Sequence, residues 1–375
     1  MIRMYKTSIA IVGGGPAGLS AAIEAARAGA QVTLFDENSR PGGQLFKQIH
    51  KFFGSREHRA GVRGFTIGNE LLEEARKLGI EVWLNAEVCG LEPPDKLWVV
   101  KDKKESVEVQ TDRIILATGA IENSIYFPGW TLPGVMGAGA VQTFINLHRV
   151  APGEKFLMVG SGNVGIIVAY QLLQAGCEVA AIIEAAPQLG GYGVHTAKVA
   201  RAGIPFYTSH TISRVTGQDR VEKAVIIELA PDWTPIPGTE KELEVDTVCL
   251  ATGLTPLAEL AWLAGCQFKY LGSMGGFVPL HDERMESTVP GIYVAGDIAG
   301  IEEASSAMEE GRLAGINAAA SLGYITENER ERLCQEIRER LKALRQGPFG
   351  EKRQLGKEEI IESRRRAECQ EKQII

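Results

Sequence analysis

Cysteine is scarce and dispersed. Six cysteines, Cys89, Cys177, Cys249, Cys266, Cys334 and Cys369, are spread over 375 residues. They form no Cys-x-x-Cys and no cluster at metal-ligand spacing, which excludes a disulfide scaffold, a zinc site or an iron-sulfur site carried by this chain alone. Buried or incidental thiols in a reducing cytoplasm are expected, and no metal site. Charge of one sign is also in short supply. The net charge is -7, and no broad basic face is present, so nucleic acid is not an expected partner and anionic cofactors must be held by local geometry. Long apolar runs are missing too: "SIAIVGGGPAGLSAAIEAARAGA" is broken by glycines and fits neither a signal peptide nor a membrane span. A cytoplasmic protein with no membrane span is the expectation.

Glycine, by contrast, is abundant and clustered. Ser8 to Val12 reads as a short apolar strand, Gly13 to Gly18 is "GGGPAG", Leu19 to Ala28 has an alanine-rich helix pattern, and "AQVTLFDE" closes a second strand on Asp36 and Glu37. Gly13 serves the tight turn, Gly15 lets backbone approach a pyrophosphate, and Gly18 lets helix pack on strand. Pro16 and Ala17 open the helix, whose free N–H groups and dipole meet the phosphates. Asp36 falls where a carboxylate accepts hydrogen bonds from a ribose. The flanking strands, helix and terminal acid make the dinucleotide reading specific.

The whole unit recurs. A strand ending at Val159 runs into "GSGNVG", with Gly160, Gly162, Asn163, Val164 and Gly165 in the loop, then a helix and the strand "EVAAIIE" ending on Glu184. A second nucleotide is therefore expected. The following "AAPQLGG" has no Arg or Lys for a 2′-phosphate, and Glu184 repels one, so NAD(H) is favoured over NADP(H); a second site that is degenerate, or holds an adenine nucleotide structurally, is the alternative. "RIILATGA" and "TVCLATGL" place Thr118, Gly119 and Gly253 in small-residue turns open to a dinucleotide. A last strand, Ile292 to Ala295, delivers Gly296 and Asp297 before another helix, in whose first turn Glu302 and Glu303 read as capping carboxylates.

These signals predict an α/β fold with two Rossmann-like three-layer domains: an FAD domain in two chain segments, 1-125 and 246-323, an NAD domain inserted at 126-245, and a charged helical tail at 324-375. With these motifs in view, the chain resembles the class II pyridine nucleotide-dependent flavoprotein oxidoreductases over about Lys6 to Leu322, in a thioredoxin-reductase-like arrangement. The stretch "ATGAIENSIYFPGWTLPGVMGAGAVQ" is similar to one in the FAD/NAD-binding alpha subunits of opine oxidase, heterotetrameric sarcosine oxidase, dye-linked proline dehydrogenase and hydrogen cyanide synthase.

The resemblance implies FAD contacts at Arg40, Gly43, Gln44 and Val88, with Asp297 on the ribityl chain and the Ala304 N–H near the flavin C2 carbonyl. It also implies a partner subunit with its own FAD that oxidises the C–N bond of an amino acid. A redox-active cysteine pair often lies in thioredoxin-reductase-like chains where this one reads "TLPGVMGAGAVQ", so electrons must leave the flavin by another route. An iron-sulfur cluster would have to reside on another small subunit, because the tail offers only Cys334 and Cys369.

The tail is expected to form one amphipathic helix through Leu333, Ile337, Leu341 and Leu344, packing on its own domain or on a partner, with the final stretch disordered. A basic loop sets Lys47, His50, Lys51, Arg56, His58, Arg59 and Arg63 around Phe52 and Phe53. It is either a surface loop over a buried Phe pair or a docking and recruiting surface. No nucleophile or acid-base pair is required; His50 and Glu303 are candidates for proton transfer at most. Three functions stay open: an oxidoreductase subunit moving a hydride between NAD(H) and FAD for a partner within a hetero-oligomer, a stand-alone NADH-dependent reductase of ferredoxin, quinone or oxygen, and an assembly subunit whose nucleotides are structural.

Overall fold

The computed structural model describes residues 3–52, 55–348 and 350–374. The chain divides into two compact units, Met1–Ile121 with Thr255–Ile375, and Glu122–Leu254.

The first unit begins with β1 (Arg3–Val12), α1 (Pro16–Arg27), β2 (Val32–Phe35), α2 (Gly64–Lys77), β3 (Glu81–Trp83), β4 (Ala86–Glu92), β5 (Lys96–Lys101) and β6 (Glu105–Leu116). Among the described residues the sheet order is β3-β2-β1-β6-β5-β4, with a later strand added on β6. Ile9, Ala10 and Ile11 are wholly buried because β1 lies between β2 and β6, the position in which a parallel strand is covered on both faces.

The second unit holds β7 (Val135–Gly137), α3 (Ala138–Gln142), β8 (Lys155–Val159), α4 (Asn163–Gln174), β9 (Glu178–Glu184), α5 (Gly193–Arg201), β10 (Phe206–Thr208), β11 (His210–Thr216), β12 (Lys223–Glu228), β13 (Lys241–Glu244) and β14 (Thr247–Leu250). The parallel order β10-β9-β8-β14-β7 sits beside an antiparallel β11-β12-β13 meander. The "APDWTPIPGTE" stretch lies between β12 and β13. The cysteine-free "TLPGVMGAGAVQ" supplies β7 and α3, and all six cysteines of the chain are free thiols, four of them buried.

The chain then returns to the first unit through α6 (Glu259–Leu263), β15 (Phe268–Leu271), β16 (Gly276–Pro279), β17 (Ile292–Val294), α7 (Ala304–Ser321), α8 (Glu327–Leu344) and α9 (Glu351–Ile374). β17 pairs in parallel with Ile114–Leu116, past the point where β5 leaves β6. α7 packs on α1 through Gly311 and Gly315. A Cβ at either would lie 2.1 Å from the Ala17 carbonyl oxygen or 2.3 Å from that of Ala21.

The tail departs from the sequence expectation in two ways. It forms two helices rather than one, and the final stretch, expected to be disordered, is helical to Ile374. α8 is capped by Thr326, whose hydroxyl accepts from the Glu329 N–H, and buries Cys334, Ile337 and Leu341 in the core of the first unit. α9 has little apolar periodicity to read. It sets Ile360 against Met274, Val278 and Leu280 and spends its charges on the unit, Arg365 on Glu283 and Lys269 receiving Glu359 at 2.8 Å.

Candidate functional site: two glycine-lined crevices

Strand register brings the first unit's motifs together. Val12 pairs with Leu116 and Leu116 with Val294, so the turns at Gly13, at Ala117–Gly119 and at Gly296 leave the same edge of the sheet. This is the carboxyl-end crevice in which open α/β sheets bind nucleotides. The glycine at position 13, at φ +102°, would place a Cβ 2.2 Å from the Ala117 carbonyl oxygen, and one at 18 would lie 1.9 Å from the Gly13 oxygen. A Cβ at Gly15 would meet nothing within 4 Å. The space in front of the α1 N-terminus is thus open, and no side chain caps that helix: the residues present fit an incoming pyrophosphate.

Both oxygens of Asp36 are already engaged. Oδ2 accepts from the Gly14 N–H at 2.7 Å, Oδ1 from the Asn38 backbone and side-chain N–H groups at 2.8 and 2.9 Å, and the residue is 5% exposed. Glu37 beside it is exposed. Gly42 donates to the Gly14 carbonyl at 2.6 Å, which lays the turn Gly43–Lys47, with Gln44, over Gly15. Arg40 stacks its guanidinium 3.6 Å from the centre of the Phe46 ring. Val88 sits half-buried on β4, next to a strand irregularity. Thr118 Oγ1 donates to the Leu257 carbonyl at 2.5 Å, and the Leu257 N–H to the Gly119 carbonyl at 3.0 Å.

The second unit repeats this backbone plan with different side-chain partners. A Cβ at Gly160 would lie 2.3 Å from the Ala251 oxygen, one at Gly165 2.2 Å from the Gly160 oxygen, and one at Gly162 in open space. Glu184 Oε2 accepts from the Ser161 N–H at 2.9 Å and hydroxyl at 2.7 Å, while Oε1 accepts from the Ala186 N–H at 3.0 Å. A second double-glycine loop folds back over Gly162: Gly190 N–H donates to Ser161 Oγ at 2.9 Å and Tyr192 N–H to Asn163 Oδ1 at 2.8 Å. Val164, next along α4, is exposed, and Gly253, at φ +110°, closes the strand end after β14. The Gly-Gly pairs at 42–43 and 190–191 each begin six residues after the strand-end acid, Asp36 or Glu184, a signal that could have exposed the second loop from sequence.

The Gly296–Asp297 turn carries groups that sequence reasoning missed. Burial pushes the Asp297 carboxyl up to about 7, with Glu310 and Glu303 adding to the rise. Glu302 and Glu303 are not in the first turn of α7. Glu303 is its N-cap residue and Glu302 precedes it, because the helix begins at Ala304. Burial alone would raise Glu302, but Lys357 and Arg345 hold it below the usual carboxylate range. Both cations come from the tail, where charge alone gave no partner.

The basic loop sends His58 and Phe52 inward and leaves Lys51, Arg56, Arg59 and Arg63 exposed. His58, 3% exposed, shares a hydrogen bond with buried Glu309 at 3.1 Å, and Arg59 pairs with Glu70 at 2.8 Å. Arg63 donates to the Ile49 carbonyl at 3.1 Å, Phe52 is buried, and His50 stacks on it at 5.9 Å. Phe53 lies outside the described residues.

A family model for pyridine nucleotide-disulphide oxidoreductases matches residues 7–311. The chain belongs to that family. This oxidoreductase is 31% identical over 342 residues to an opine oxidase subunit of Agrobacterium tumefaciens (strain Ach5), covering 84% of this chain and 66% of that one. The corresponding opine oxidase subunit of Rhizobium meliloti is covered over 63% of its length, so the chain spans just under two thirds of both relatives. Hydrogen cyanide synthase subunit HcnB of Pseudomonas aeruginosa is 32% identical over 333 residues, 82% of this chain and 69% of that one. Among solved structures, T. acidophilum thioredoxin reductase superposes with a TM-score of 0.70 at 21% identity, over 84% of this chain and 99% of that one. L-proline dehydrogenase from P. horikoshii gives 0.68 at 24%, over 90% and 60%; both share its fold. The family assigns the oxidoreductase FAD and a nicotinamide nucleotide. Among its described residues no helix is long and apolar enough to cross a membrane.

Proposed function

We propose that the first unit holds FAD and the second NAD(H), and that the chain passes electrons between them and a partner subunit that oxidises an amine or amino acid, without a redox disulfide of its own. The observation that carries this reading is the repeated crevice, in which turn glycine, helix glycine and loop-bracing acid recur in both units while Gly15 and Gly162 face open space. The names of the relatives support the partner, since they are subunits of an opine oxidase and of a hydrogen cyanide synthase. FAD, when bound, supplies the hydride-accepting chemistry, and the protein supplies position and electrostatics.

The α1 N-terminus receives the FAD pyrophosphate at Gly15, Pro16, Ala17 and Gly18. Asp36 and Glu37 offer carboxylate oxygens to the ribose hydroxyls, Asp36 while also bracing the loop through Gly14 and Asn38. Gly43, Gln44, Val88, Thr118, Gly119, Gly296, Asp297 and the Ala304 N–H line the rest. In the second unit Gly160, Gly162, Asn163, Val164, Gly165 and Gly253 take NAD(H), and Glu184 disfavours a 2′-phosphate by charge.

The test is an anaerobic titration of the flavin-loaded chain with NADH, following flavin absorbance, with NADPH as control. Bleaching by NADH and little by NADPH is the expected result. A flavin that stays oxidised with NADH bound would instead mark the second nucleotide as structural, and robust turnover of ferredoxin, quinone or oxygen by this chain alone would favour a stand-alone reductase.

A further inference from the structure

The short turn Gly296–Ala299 is bracketed at both ends by one ion pair. At its start, the Gly296 N–H donates to Glu310 Oε2 at 3.1 Å. At its end, Lys357 Nζ donates to the Ala299 carbonyl at 2.7 Å. Lys357 and Glu310 are themselves paired at 2.6 Å, which closes a ring through the turn. A second cation reinforces it: Arg345 grips Glu302 with Nε at 2.9 Å and Nη2 at 2.6 Å, and reaches Glu310 Oε1 at 2.6 Å. The side chains of Glu302, Glu310, Arg345 and Lys357 are each a tenth exposed or less.

Two buried cations thus balance two buried acids, and both cations come from the tail. Arg345 and Lys357 each reach both acids, so removing one leaves two buried carboxylates sharing a single cation, which is costlier than losing a surface pair. Buried His281 lies in the same field, its basicity lowered chiefly by burial and then by Lys357. Its neutral ring adds no cation to replace a lost one.

We propose that Lys357 and Arg345 are positioning residues for the flavin site, so that FAD retention depends on the C-terminal helices. The inference rests on the reading that the first unit holds FAD. Lys269 ties α9 to the unit elsewhere, pairing with Glu359 at 2.8 Å and donating to Ser363 Oγ at 2.9 Å. That separates a clamp on the turn from a mere staple on the tail.

The test uses the full chain with Lys357→Met, Lys357→Arg and Lys269→Met, and reads the FAD dissociation constant alongside amide exchange of the 296–300 segment in flavin-free protein. Lys357→Met is expected to weaken FAD at least tenfold and to speed exchange at 296–300, Lys357→Arg to restore part of both, and Lys269→Met to change neither beyond twofold. Folded Lys357→Met that binds FAD within twofold of wild type overturns the proposal, as does an equal loss in Lys269→Met. If Lys357→Met does not fold, Glu310→Gln, which keeps an acceptor for Gly296 but breaks the ring, must show the same two changes or the proposal falls. A wild-type chain that takes up no FAD refutes the first-unit reading instead, and the exchange result still decides whether the clamp exists.

Discussion

The two glycine-lined crevices share a backbone and differ in what secures it. In both, the turn glycine abuts the Ala-Thr-Gly strand end and an acid accepts the loop's second N–H. The second crevice is fastened locally: Ser161 and Asn163, two side chains of its own loop, hold the Gly190–Tyr192 segment down. The first uses a backbone bond from Gly42 in place of those side chains and adds fastening from afar, through Glu310 on Gly296 and its ion pair with Lys357 near the end of the chain. One plan can therefore be self-contained or can depend on distant sequence, and only the self-contained version is visible in a short motif.

The largest effects should fall on what the crevices share. Gly18→Val and Gly165→Val drive a side chain into a backbone oxygen that cannot yield, and each should cost more than about 4 kcal/mol, read as loss of folded protein on expression and thermal melting. Gly15→Ala and Gly162→Ala meet nothing in the protein. They should leave flavin-free stability within about 0.5 kcal/mol of wild type, yet weaken FAD and NADH respectively by about tenfold, or 1.4 kcal/mol, in calorimetric titrations. Equal losses of both ligands in either variant would break the assignment of one nucleotide to each unit.

Next come the acids. Asp36→Asn removes the charge from a buried acceptor of three hydrogen bonds and should cost about 2 to 3 kcal/mol in urea unfolding. Glu184→Gln, on a more exposed acid, should cost about 1 kcal/mol and narrow the preference for NADH over NADPH.

A pH effect distinguishes the first unit further. The folded-state pKa of Asp297, raised to about 7, makes the folded flavin-free chain hold a proton that the unfolded chain releases. Its contribution to stability is full below the unfolded carboxylate pKa and is lost as pH rises through about 7, with a slope near 1.4 kcal/mol per pH unit between them. Glu310 and Glu303 face it from α7 and its cap, Lys357 from α9, and the Glu302 N–H donates to it. Asp297→Asn should flatten the decline in melting temperature between pH 5 and 7; an unchanged decline would place the responsible group elsewhere.

Legibility follows the same division. The glycine loops, Asp36, Glu184 and the Gly296–Asp297 turn could be read because each function needs a particular residue type at a fixed spacing on a strand-turn-helix frame. Arg345 and Lys357 could not: their partners Glu302 and Glu310 lie far away in sequence, and a charged helix gives no sign of which charges are buried. α9 was missed for a related reason, since Ile360 is a buried apolar anchor and its other contacts include ion pairs and hydrogen bonds to carbonyl oxygens. Glu302 was misplaced because a helix pattern does not mark its first residue. Asp36, identified as a ribose acceptor, also braces its loop through Gly14 and Asn38, a role that its position at a strand end does not announce.

The smallest effect is the most specific to the second crevice. Asn163→Ala deletes the neutral hydrogen bond that its Oδ1 accepts from the Tyr192 N–H, and should cost about 1 kcal/mol of stability. If the Gly190–Tyr192 segment must be held down for the nucleotide to find its loop already formed, NADH affinity should fall by about fivefold, the equivalent of that 1 kcal/mol, with FAD affinity unchanged. If the segment instead obstructs the nucleotide, loosening it removes an obstacle and NADH binds more tightly. The direction of the change, measured by titration beside Gly162→Ala, therefore decides whether the local staple prepares the second crevice or guards it.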